Sequence, residues 1–203
     1  MVQLFVDGGG FMWPILFIFI IGFVFVGERL YHLVKGLASN EEFAMDVAAT
    51  LEKSGSQAAK DLCDESMGPV ANLCSSALEK ADDGIEAVEK TLDHAGTIEM
   101  ASMEKNMTWI SLCIATAPML GFLGTVWGMI QAFNDIKMAN DISPAVVAGG
   151  ISVALLTTAF GLVVAVVLQI FQNAVLYIID NQIVTLQKST TALLHSIKDS
   201  NKK

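Results

Sequence analysis

Three stretches of this chain carry no charged side chain: Gly8 to Gly27, Asn106 to Asn134 and Ile142 to Ile179, of 20, 29 and 38 residues. A bilayer core of about 30 Å takes about 20 helical residues. At 1.5 Å per residue the stretches make helices of about 30, 43 and 57 Å, so the first just spans and the others must tilt or project. Two crossings within the third would need a turn, and no Pro, Asn or Asp lies between Ala145 and Gln172 to make one. The chain therefore reads as three spans. Composition agrees: of 203 residues 53% are apolar and only 16% charged, against about 25% charged in soluble domains. Mean hydropathy is +0.55. A net charge of −9 with no basic stripe excludes a nucleic-acid partner. Cys63, Cys74 and Cys113 form neither a metal-ligand spacing nor a disulfide framework.

Basic residues set the expected orientation. The first, Arg29, follows the first apolar run, which is the reverse of a cleavable signal peptide. The first span is expected to anchor the chain with its N-terminus outside. Three spans then put the C-terminus in the cytoplasm, together with 11 of the 12 basic residues, leaving only Lys137 outside. The expected order is an external segment at 1–10 and a span at 11–33. A cytoplasmic helical domain at 34–105 precedes a second span at 106–134. A short external loop at 135–143 leads to a third span at 144–179 and a cytoplasmic helix at 180–203. The fold class is all-α, with the second and third spans extending as long helices into a cytoplasmic bundle.

Within 34–105, Phe43, Val47 and Leu51 keep helical spacing after Asn40 as N-cap. Ser54-Gly55-Ser56 and Gly68-Pro69 break the pattern. Asp83 with Glu86 predicts a capping box, and the helix it opens is expected to run unbroken into the second span. Ser143 is the expected N-cap of the third span, with Pro144 at its first position. Residues 41–104 hold 15 Asp or Glu against four Lys, which reads as a solvated bundle. His32, His94 and His195 lack partner spacing and are expected on the surface.

Spans two and three carry small residues at helical spacing: Ala117, Gly121, Gly124 and Gly128, then Gly150, Ala154, Gly161 and Ala165. Such faces let helices approach closely in lipid. Thr125, Thr157 and Thr158 add three hydroxyls near mid-span. Back-bonding to the helix explains any one of them; three together predict a polar path. Neither span holds an Asp, Glu, Lys, Arg or His, the groups through which membrane proteins normally relay protons. A titrating group must then come from another chain.

Ala117, Pro118, Gly121, Gly124, Thr125, Trp127, Gly128 and Phe133 resemble the second-span signature of the MotA/TolQ/ExbB family, closest to its ExbB/TolQ branch. Gly150, Ala154, Thr157, Thr158, Gly161 and Ala165 resemble its third-span signature, and Gly9, Gly10, Trp13, Pro14 and Gly27-Glu28-Arg29-Leu30 its first. The resemblance implies a ring, typically a pentamer, in the bacterial inner membrane. The ring encloses the single-span helices of an ExbD- or TolR-like dimer whose intramembrane Asp carries the ion. The work passes to TonB for outer-membrane import, or to TolA for envelope upkeep. The family's pore-facing threonines fall on Thr125 and Thr158. Many ExbB and TolQ proteins have Glu five residues before the latter, where this chain has Val153. Thr157 is an added hydroxyl of the kind found at the ion site of sodium-driven stators. The proton is the expected ion, with Na⁺ at Thr125, Thr157 and Thr158 as the alternative. No cofactor, resident metal or enzymatic activity is expected. The competing classes are a scaffold whose small faces only assemble helices, and a self-contained transporter, for which internal repeats are missing.

Overall fold

The computed structural model describes residues 2–36, 41–66, 68–139 and 144–200. They form eight α-helices: α1 Val2–Asp7, α2 Met12–Gly36, α3 Glu41–Ser54, α4 Ser56–Glu65, α5 Pro69–Leu78, α6 Ile85–Met103, α7 Met107–Ala139 and α8 Pro144–Ser200. A 3₁₀ turn at Ala81–Asp83 joins α5 to α6, and no strand occurs among the described residues. Helices within Met12–Lys35, Ile85–Met138 and Val147–Lys198 are long and apolar enough to cross a membrane. At 57 residues α8 is about 86 Å long, so one helix carries the third span and the C-terminal segment. The predicted caps Asn40 and Ser143, and residues 140–143 of the loop expected at 135–143, lie outside the described residues; α7 carries helix through the first part of that loop, to Ala139.

The breaks at Gly55 and at Gly68-Pro69 occur where glycine permits a left-handed backbone, with φ of 85° and 147°. Two expectations fail. Asp83 does not cap α6: Gly84, at φ 99° and ψ 163°, occupies the cap position, and the Asp83 carboxylate instead accepts from Lys80 Nζ at 2.7 Å. Nor does α6 run into the second span. The helix stops at Met103, and Asn106, at φ 64°, restarts it as α7. Asn is among the few side-chain-bearing residues that enter this region at modest cost. Its Nδ2 donates to Glu28 Oε2 at 2.8 Å, tying the start of α7 to α2. Asn106→Ala is expected to lose that bond and strain the turn, costing about 1–2 kcal/mol. Asn106→Gly keeps the backbone free and should cost less. Thermal unfolding of the purified variants in one detergent checks the order.

The chain divides into two units, 1–28 with 106–174 and 29–105 with 175–203. In the first, α2 packs on α7 and α8 through Ile15, Cys113, Ala117, Val164 and Leu168. Phe25 stacks on Trp109. Phe17, Phe122, Leu155 and Val166 remain exposed, as an apolar solvent requires. In the second, Val47, Leu73, Cys74, Val88 and Leu92 form a core with Leu186, Leu193 and Ile197 of α8. Among the described residues its acids are exposed or half-buried, and the surface pairs Lys60–Glu79 and Lys90–Glu86 contribute little. His32, His94 and His195 are exposed. Cys63 and Cys74 are free and buried. The Cys74 thiol donates to the Cys63 sulfur, holding Cys63 below the usual thiol range and pushing Cys74 far above it.

Candidate functional site

The closest approach of α7 and α8 is set by glycine. A Cβ on Gly161 would lie 2.6 Å from Ala117 O and 3.1 Å from Gly121 Cα, and one on Gly121 would lie 2.8 Å from Thr157 O. Those neighbours are backbone, so neither position admits a side chain without moving a helix. Further along the seam, a Cβ on Gly128 would meet Ala154 at 3.1 Å, one on Gly124 would meet Thr157 at 2.7 Å, and one on Gly150 would meet Ala132. The small residues singled out from sequence thus face one another across a single contact. Ala165 is half-buried two turns beyond Thr158.

That contact brings the three hydroxyls together. Thr125 Oγ1 touches Thr158 Oγ1 and lies 3.2 Å from both Gly121 O and Ala154 O. Thr157 donates to Ala154 O at 2.8 Å, with Gly121 O at 3.2 Å as its other acceptor. Thr158 reaches Gly121 O on the opposite helix, also at 3.2 Å. Three protons are thus offered to three hydroxyl oxygens and two carbonyls, and acceptors outnumber donors. A site of this kind accepts from a protonated acid or surrounds a small cation with oxygen. The same hydroxyls can turn and donate to an anion.

The cluster has two sides. Thr125 and Thr158 are half-buried, whereas Thr157 is 1% exposed. Thr157 and Gly124 instead line a cavity of about 370 Å³, closed by Gly8, Gly9, Gly10 and Phe11 and walled by Trp127 and Gln131. Val153 lies on this wall too, a methyl of its side chain 3.5 Å from where a Cβ on Gly9 would sit. Sequence reasoning missed Trp127 and Gln131 as cavity residues. A Gln in a charge-free stretch is a signal, but the fold-back of 8–11 that encloses it is tertiary.

A family model described as the MotA/TolQ/ExbB proton channel family matches residues 65–188. A biopolymer transport protein ExbB homolog of Methanothermobacter thermautotrophicus is 31% identical over 183 residues, 90% of this chain and 65% of that protein. The biopolymer transport protein ExbB of Xanthomonas campestris is 41% identical over 81 residues, 40% of this chain and 32% of its own. An ExbB-like protein of Synechocystis is 27% identical over 166 residues, 80% of this chain and 65% of its own. The chain thus spans less than two thirds of the length of each of these relatives.

Proposed function

Because the chain belongs to the MotA/TolQ/ExbB proton channel family, we propose that it is the ring-forming subunit of an ExbB/TolQ-like ion-driven motor. The observation that carries this reading is the acceptor-rich cluster of Thr125, Thr157, Thr158, Gly121 O and Ala154 O. It lies inside helical stretches that hold no ionisable acid or base of their own. If such a cluster hands on protons, the titrating group comes from a partner. In this proposal the partner is a single-span dimer with an intramembrane Asp, enclosed by about five copies of this chain in the bacterial inner membrane. The N-terminus faces outside and the C-terminus the cytoplasm. The work performed is the driving of outer-membrane import or of envelope maintenance. The test is native mass spectrometry on the chain co-purified with the product of a neighbouring short reading frame. A ring of about five with two partner copies supports the reading; a stable monomer in mild detergent contradicts it.

A sodium-driven version rests on Thr157. Its proton is directed to Ala154 O, so its lone pairs are available on the cavity side, where they can replace part of the hydration of Na⁺. With a proton as the ion, Thr157→Val is expected to change coupled activity less than about threefold, because the partner acid does that chemistry. With Na⁺ it removes a ligand, and activity should fall more than tenfold. Activity measured against Na⁺ concentration, in wild type and variant, separates the two.

A further inference from the structure

The hydroxyl cluster is one end of a longer polar seam on α7 and α8. Ser111 precedes Thr125 by 14 residues and Gln172 follows Thr158 by 14. Fourteen residues are close to four turns, so each pair returns to the same helix face about 21 Å away. The two antiparallel helices keep register over that distance, because Gln172 Nε2 donates to Ser111 Oγ at 2.6 Å. Midway between, seven residues from Ser111 and from Thr125, stands Pro118, inside α7. Proline has no N–H, so the carbonyl of Ile114 lacks its helical bond. On α8, Ala165 holds the matching place in the sequence, seven residues from Thr158 and from Gln172. Beside the Ser–Gln pair, Gln169 Nε2 donates to Gln172 Oε1 at 3.3 Å and to Asn173 Oδ1 at 3.1 Å. Gln172 is 8% exposed, while Ser111, Gln169 and Asn173 are exposed. Among the described residues no acceptor takes the Ser111 hydroxyl proton.

We propose that Ser111 and Gln172, with Gln169 and Asn173, form a second cation-transfer station on the ion path, taking hydronium or a small hydrated monovalent cation. It occupies the 106/174 end of the membrane unit and passes the ion between the Thr125–Thr158 cluster and the water beyond that end. Amide and hydroxyl oxygens replace part of the ion's hydration, and the Ile114 carbonyl supplies an oxygen between the two stations. The inference rests on the ion-motor reading above. Interhelical hydrogen bonds also act as plain glue in membranes, and the test separates the two roles.

The complex of the chain with its co-purified single-span partner is reconstituted into liposomes with a pH-sensitive or a Na⁺-sensitive dye inside, whichever reports wild-type flux, and flux is driven by an imposed potential. Gln172→Leu is expected to lower flux at least about tenfold while native mass spectrometry shows an unchanged ring. Gln172→Glu should keep flux and give it a pH dependence that wild type lacks, with flux falling as the introduced carboxyl takes up its proton. The stretches 106–134 and 142–179 hold no native acid or base, and the partner's Asp titrates in wild type and variant alike, so the new dependence is read as the difference between their two pH profiles. Wild-type flux in Gln172→Leu, an unchanged pH profile in Gln172→Glu, or loss of the ring in both would overturn the station. Thr158→Val serves as the separate control. If it conducts like wild type, the ion-motor reading itself fails and the station falls with it. If it is silent while Gln172→Leu conducts fully, only the station is refuted.

Discussion

Gly161→Leu will part α7 from α8 and abolish coupled activity. A Cβ at this position would sit 2.6 Å from Ala117 O, and one at Gly121 would sit 2.8 Å from Thr157 O. Overpacking a core usually costs about 1–3 kcal/mol, because side chains shift to make room. Here the obstructing atoms are backbone, and the helices themselves must separate. The cost should lie at or above the upper end of that range, and the separation would pull Gly121 O away from Thr157 and Thr158. Gly149→Leu is the control, since nothing lies within 4 Å of a Cβ there in the single chain. Thermal unfolding and disulfide trapping between cysteines introduced on α7 and α8 should show the two helices parted in Gly161→Leu and still joined in Gly149→Leu. Efficient trapping across the seam in Gly161→Leu would mean that glycine does not set its spacing.

Thr158→Val carries the other large effect, and a magnitude decides what it means. Interhelical hydrogen bonds within membranes are worth about 0.6 kcal/mol on average and up to about 1.7. If Thr158 only packs, its loss should soften the fold by that amount and leave function nearly intact. If it meets a partner's carboxyl, valine keeps the shape but cannot donate to the charged form or accept from the neutral one. Activity should then drop more than a hundredfold with the ring still formed. Thr125→Val should behave alike, since its hydroxyl touches that of Thr158.

How much of this was legible in the sequence follows from what each signal depends on. The spans were legible because a low-dielectric solvent excludes charge along whole stretches. The breaks at Gly55 and Gly68-Pro69 were legible because they are properties of single residues. The three hydroxyls stood out as polar groups in charge-free helices, but their meeting at Gly121 O depends on a register that glycines on two helices set together. The halt at Met103 is hidden because the apolar pattern runs on through it, and only the left-handed Asn106 interrupts the helix. Asp83 misleads because Gly84 beside it provides the cap by backbone conformation alone. The cavity beside Thr157 was out of reach, since 8–11 must first fold back onto α7 and α8.

The central claim is that the threonines where α7 meets α8 serve an ion and not merely packing. It is tested most directly by ion flux through the reconstituted complex carrying Thr125→Val and Thr158→Val together, with native mass spectrometry on the same sample. The account predicts an intact ring with flux reduced to the level of empty liposomes. Wild-type flux through an intact double-variant ring would contradict it, and would make the hydroxyl cluster a packing device in a scaffold.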